Sequence, residues 1–191
     1  MFEFIPQVNK KFGRWILPMV SFLHLKLKLT PNQLSVIGAG FGLVAFVLVL
    51  LKYIGWGLIF LFITEFIDVL DGAMARRFKL ESKTGEKLEL YIDRGHEFLM
   101  FLAFVIIGEV EVITFILVYT AIILMTLLKS RSKFDPDFKR KSLFVGYFVG
   151  FNLILQFVFL INLVGFMISL VIIDYKEDKK LLPQIKTIGK V

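Results

Sequence analysis

From Leu143 to Tyr175 the chain is apolar for about 33 residues, which as one helix would be about 50 Å long against a hydrocarbon core of about 30 Å. Such a run has no place in a water-soluble domain of this size. Shorter apolar runs cover about Gln33–Leu51, the stretch from about Leu58 towards Asp68 and about Val112–Leu128, and a further span starts near Glu86, holds Glu89 and Asp93 and runs to about Ile107. With 57% hydrophobic residues and a mean hydropathy of +0.77, a soluble fold would be left with more apolar surface than it could bury. The chain is therefore expected to be an all-α integral membrane protein.

Dividing the last run near Asn162 to Gly165 gives six transmembrane helices. Loop charge agrees with that count. The amino terminus, the second-to-third loop, the fourth-to-fifth loop and the carboxyl tail are basic, whereas the first-to-second loop has only Lys52 and the third-to-fourth loop only Glu109 and Glu111. Because cytoplasmic loops collect Lys and Arg, both termini are expected on the cytoplasmic side. Residues 1–29 mix Phe12, Trp15, Ile16 and Val20 with Lys10, Lys11, Arg14, Lys26 and Lys28. That stretch is too charged to span and reads as an amphipathic helix in the interface. Residues 30–175 form the six-helix domain and 176–191 a basic tail. Thr30-Pro31-Asn32-Gln33 carries the marks of a helix start, with Thr30 as N-cap, Pro31 in the first turn and Gln33 as capping-box partner. Gly38 and Gly42 stand four apart, a small-residue face for close helix packing. No signal peptide with a clean apolar region and cleavage site is evident.

Several function classes drop out early. The chain has no cysteine, which excludes disulfides, thiolate catalysis and cysteine-based metal sites. The net charge of +7 lies outside the apolar runs. That placement suits lipid headgroups and phosphorylated substrates, and no basic and aromatic pattern for nucleic acid accompanies it.

Between the second and third spans the sequence reads DVLDGAMARRFKLESKTGEKLELYID from Asp68 to Asp93. Asp68 and Asp71 stand three apart, and Glu89 and Asp93 four apart, so each pair shares one face of its helix. If the basic link from Arg77 to Lys87 turns between them, the four carboxylates line one site. So much negative charge at the end of an apolar run calls for cations, and oxygen donors suit Mg²⁺ or Mn²⁺.

The spacing D-x2-D-G-x2-A-R-x8-G-x3-D-x3-D resembles the signature of the CDP-alcohol phosphotransferases. It matches at Asp68, Asp71, Gly72, Ala75, Arg76, Gly85 and Asp93 and departs at Glu89, where the family has an aspartate. The resemblance implies transfer of a phosphoalcohol, of phosphatidyl type, from a CDP-linked donor to an acceptor hydroxyl, with CMP leaving. It implies two Mg²⁺ ions, with Mn²⁺ a substitute, held by Asp68, Asp71, Glu89 and Asp93, and Asp93 taking the acceptor's proton. Gly72 and Ala75 would let the nucleotide approach the helix, Arg76 would contact donor phosphates, and Gly85, Pro31 and Asn32 would lie by the nucleotide. Arg76 at the membrane edge is also placed to anchor lipid phosphate. Arg94 is a candidate salt-bridge partner, and His96 a polar packing residue rather than a ligand.

Lys129-Ser130-Arg131 resembles the K-A-R segment with which phosphatidylinositol-phosphate synthases hold the acceptor's phosphate, and Arg140 is a looser match to a further pocket arginine. The partners implied are a CDP-linked lipid donor, a small polar or phosphorylated alcohol such as inositol phosphate or glycerol phosphate, membrane lipids and a second copy of the chain as a homodimer. The site would face the cytoplasm. Two other readings stay open: a transferase using CDP-inositol and inositol phosphate to make a soluble solute precursor, and a channel or transporter whose acids bind a divalent cation.

Overall fold

The structure, a computed structural model, describes residues 16–136 and 138–188, the last twelve by backbone alone. Residues 1–15 of the interfacial segment and the side chains of the basic tail beyond Lys176 lie outside the described residues. All described regular elements are helices: α1 (Ile16–Lys26), α2 (Pro31–Leu50), α3 (Ile54–Phe78), α4 (Lys83–Ile106), α5 (Val112–Ser132), α6 (Ser142–Val149) and α7 (Phe151–Ile188). Three of them, α2, α5 and α7 as far as Lys176, are long and apolar enough to cross a membrane. The other long helices, α3 and α4, carry the acidic motif within their own length, so charge interrupts their apolar stretches. The chain divides after Ala103 into two compact units.

In the first unit, α1 ends in a widened π-type turn over Phe22–Lys26 and buries Ile16 and Val20 against Leu34 of α2 and Ile67, Leu70 and Met74 of α3. Its Leu17, Met19, Phe22 and Leu25 remain exposed, as suits a helix lying at an apolar boundary. Thr30 and Gln33 form the expected capping box, the Thr30 amide donating to Gln33 Oε1 at 2.9 Å and the Gln33 amide to Thr30 Oγ1 at 3.3 Å.

Helices α2 and α3 run antiparallel, and their axes approach closely because glycine replaces bulk at the contacts. A Cβ at Gly57 would lie 2.5 Å from Val49 Cγ2, and one at Gly38 would lie 3.1 Å from Ile67 Cγ2. Helix α4 lies parallel to α2. A side chain at Gly42 would collide with the buried His96 ring, and His96 Nε2 lies 3.2 Å from the Ala39 carbonyl. The two small residues of α2 thus receive different neighbours, one from α3 and one from α4. His96 takes the polar packing role expected of it, and Arg94 pairs with Glu97 at 2.5 Å.

In the second unit α5 and α7 run parallel. The Glu111 amide donates to Asn152 Oδ1, Ser169 Oγ donates to Met125 Sδ, and Lys176 Nζ donates to the Arg131 and Ser132 carbonyls that end α5. Between them the chain reverses at Lys133, with φ of 60°. Pro136 and Phe134 then rest against α7, where a Cβ at Gly165 would meet them at 3.2 and 3.4 Å. The short α6 of 8 residues, about 12 Å long, leads to a sharp turn at Gly150, with φ of 99°.

That turn corrects the expected break at Asn162 to Gly165, through which α7 is continuous. Asn162 is buried and donates to the Val158 carbonyl at 2.8 Å, one turn back, so it sits within the helix without ending it. Gly165 is a packing notch for the returning loop. The break falls at Gly150 because positive φ there favours glycine.

Candidate functional site

The link between the two halves of the acidic motif is tighter than expected. Helix α3 does not stop at its acids but runs on to Phe78, and Lys79 caps it in the left-handed conformation with its amide donating to the Ala75 carbonyl. Ser82 Oγ then accepts from the Gly85 amide at 3.0 Å, and α4 begins at Lys83 instead of near Glu86. Gly85 therefore stands in the first turn of α4 and meets the first turn of α2: a Cβ there would lie 3.1 Å from both Asn32 Oδ1 and Ser82 Oγ. Glycine is what lets the two helix starts approach.

These turns enclose a cleft of about 190 Å³. Pro31 and Asn32 line it from α2, Asp71, Gly72, Ala75 and Arg76 from α3, and Gly85 and Glu89 from α4. Eight of the residues singled out in the sequence thus share one concavity. The Arg76 side chain folds back along its own helix, and a Cβ at Gly72 would sit 3.3 Å from its Nη1. Gly72 so keeps room beside the guanidinium, whose fork suits phosphate oxygens.

Asp71 is buried, and Ser35 Oγ donates to its Oδ2 at 2.6 Å. Asp68 and Glu89 both lie near enough to act on its charge. Glu89 is exposed, while Asp68 and Asp93 are half-buried and lie outside the cleft lining. Asp68 sits deeper, its Oδ1 3.6 Å from where a Gly38 Cβ would be.

Among the described residues no three acidic or imidazole side chains form a ready-made metal cage. The donor chemistry nevertheless fits a hard divalent ion. A buried carboxylate with two further carboxylates acting on it is a set that cation binding would relieve. Asp71, with Asp68 and Glu89 acting on it, is the set that would hold it, and Asp93 stands one turn beyond Glu89 on α4.

Ser35, Glu81, Ser82 and Glu86 also belong to the site, and the sequence pattern did not single them out. Ser35 left a faint trace as a small polar residue one turn before Gly38 on the packed face of α2. Ser82 could have been read as a helix cap three residues before Gly85.

Lys129, Arg131 and Arg140 fall in the second unit. Arg131 is exposed and Arg140 buried. The Asp135 carboxylate bridges two lysines, with Lys129 Nζ at 2.9 Å from Oδ2 and Lys139 Nζ at 2.6 Å from Oδ1.

Helices that carry their polar residues at one end, around a cleft lined by carboxylates and an arginine fork, define a membrane-embedded enzyme acting on phosphate groups. The sequence profile of the CDP-alcohol phosphatidyltransferases matches residues 28–175. The chain belongs to that family and is a CDP-alcohol phosphotransferase of phospholipid biosynthesis. Membership of an enzyme family disposes of the channel or transporter alternative.

The fold is similar to that of Mycobacterium tuberculosis phosphatidylinositol phosphate synthase, PgsA1. The structure of PgsA1 with CDP-DAG bound aligns with a TM-score of 0.64 at 20% identity, covering 83% of this chain and 90% of that one. The structure in complex with manganese and citrate aligns with a TM-score of 0.62 at 20% identity, covering 82% and 85%. No curated protein sequence matches the chain significantly.

Proposed function

We propose that the protein transfers a phosphatidyl-type group from a CDP-linked lipid to the hydroxyl of a phosphorylated alcohol, inositol phosphate or glycerol phosphate, with release of CMP. The observation that carries this is the shared cleft. Residues from three helix segments, Pro31 and Asn32, Asp71 to Arg76, and Gly85 with Glu89, meet around one concavity, and Gly85 leaves room for the starts of α2 and α4 to approach.

Asn32 and the Gly72 to Ala75 surface receive the nucleotide, and Arg76 pairs with donor phosphate. Asp68, Asp71, Glu89 and Asp93 would hold two Mg²⁺ ions, which would supply charge neutralisation for the pyrophosphate and the leaving CMP. Ser35 fixes one Asp71 oxygen and leaves the other for ligation. Asp93 accepts the acceptor's proton as that oxygen bonds to the phosphorus bearing the lipid, and the bond from that phosphorus to CMP breaks. Lys129, Arg131 and Arg140 hold the acceptor's phosphate. Support comes from the K-x-R spacing and from the likeness to PgsA1, whose name specifies phosphatidylinositol phosphate synthesis and whose structures hold CDP-DAG or manganese.

The chain crosses the membrane six times, with both termini and the site on the cytoplasmic side, and acts as a homodimer. The parallel course of α5 and α7 supports the even count, because the chain must return along the 133–149 segment before α7 descends beside α5. In this view the fifth crossing is a loop and a short helix rather than one straight span.

The test is a matrix of CDP-diacylglycerol with inositol phosphate, glycerol phosphate, serine and free inositol, following CMP and lipid product. Turnover confined to phosphorylated acceptors is the expected result, and Arg131→Ala should raise acceptor KM about tenfold to a hundredfold, the worth of one charge-assisted contact of about 1.5 to 3 kcal/mol. Efficient turnover of a neutral alcohol would defeat the acceptor assignment.

A further inference from the structure

The carboxylate of Asp135 stands between the two lysines that flank it, and the two are not alike. Lys139 is buried, with a side chain 5% exposed, whereas the Lys129 side chain is 48% exposed. The same carboxylate therefore makes one fixed bond and one that can be given up. Its Oδ1 is held by Lys139 four residues along the loop, and its Oδ2 faces Lys129 at the end of α5. Pro136 and Phe134, seated against Gly165, hold the Asp135 backbone in place.

We infer that Asp135 is a specificity-determining residue, a resident carboxylate that occupies Lys129 until a dianionic phosphate displaces it. An incoming group must outcompete a monoanion already in position. A phosphate monoester carries about −1.5 to −2 charge at pH 7 and three acceptor oxygens, so it can do so. A neutral hydroxyl compound or a simple carboxylate cannot. On displacement Asp135 keeps its bond to Lys139, so no buried cation is stranded and the exchange costs only the exposed half of the bridge. Such a half-exposed pair is weak, and its competition is worth about two- to fivefold in anion affinity.

Because this rests on the acceptor assignment above, the test separates the two. Binding of inorganic phosphate to the full chain in lipid nanodiscs would be measured by phosphorus NMR, in EDTA so that no divalent ion holds phosphate at the acidic cleft. Four proteins are compared: wild type, Asp135→Asn, Lys129→Met, and Asp135→Asn combined with Lys139→Met, which removes the buried lysine together with its partner.

The expected pattern is phosphate affinity about two- to fivefold tighter in both Asp135→Asn proteins and weaker in Lys129→Met. Asp135→Asn should also become open to competition by glycerate, a monocarboxylate that leaves the wild type unaffected. Weaker or unchanged phosphate binding in both Asp135→Asn proteins, with Lys129→Met still impaired, overturns the displacement and leaves the phosphate pocket standing. Unchanged binding in Lys129→Met removes the pocket, and the displacement with it.

Discussion

Replacing Ser35 by alanine tests the site where the structure adds most to the sequence. Its hydroxyl donates to a buried carboxylate at 2.6 Å, a short contact of the kind expected when the acceptor is charged. A hydrogen bond to a charged group contributes about 1.5 to 3 kcal/mol, which corresponds to a factor of roughly ten to a hundred or more in an equilibrium constant. The loss falls on Asp71, which is only 4% exposed. The assay is CMP release titrated with Mg²⁺ at saturating donor. Ser35→Ala should need about ten- to a hundredfold more Mg²⁺ for half-maximal rate, in line with the usual cost of losing a residue that orients a metal ligand. Ser35→Thr, which keeps the hydroxyl, should recover most of the loss. A Ser35→Ala protein that folds and shows the wild-type Mg²⁺ dependence would refute the idea that this bond prepares Asp71 for the metal.

Three further outcomes are expected. Glu89→Gln should abolish turnover, whereas Glu89→Asp should stay active with a greater need for Mg²⁺ or a preference for Mn²⁺, whose geometric demands are looser; a normal rate and metal response in the glutamine protein would take Glu89 off the ligand set. Single cysteines at Lys52 and Glu109 should react with an impermeant reagent from outside and one at Lys83 should not, and external labelling at Lys83 would contradict the six-crossing topology. Gly42→Ala drives a methyl into the His96 ring and should cost about 1 to 3 kcal/mol, seen as a lower unfolding temperature in detergent; an unchanged temperature would mean that α2 and α4 are less tightly joined than described.

The elements that the sequence made legible are those whose cause is local. The Thr30 and Gln33 capping box and the α2 and α5 spans follow from residues close together in the chain, whereas the grouping of Asp71 to Arg76 with Gly85 was legible only through the resemblance to the family signature. Elements set by contacts distant in sequence were hidden. Asn162 and Gly165 look like a break, but Asn162 bonds within its own helix and Gly165 makes room for Pro136. The actual break at Gly150 depends on a positive φ that no pattern of hydropathy reports. Ser35 belongs to the site because α3 lies antiparallel against α2, a pairing that places residue 35 beside residue 71. The bridge from Asp135 to Lys129 needs the reversal at Lys133. In the basic loop the sequence showed the charges but not which of them pair.

In the proposed reaction a CDP-linked lipid is cleaved in a metal-dependent step at the acids in and beside the cleft, with Asp93 taking the proton. The most direct measurement is CMP release from CDP-diacylglycerol by purified protein, with acceptor present, for wild type and Asp93→Asn, in Mg²⁺ and in EDTA. Release by the wild type in Mg²⁺ only is expected, with a loss of about a hundredfold or more in Asp93→Asn, the usual worth of a positioned base. Undiminished release in EDTA, or by Asp93→Asn in Mg²⁺, would contradict it.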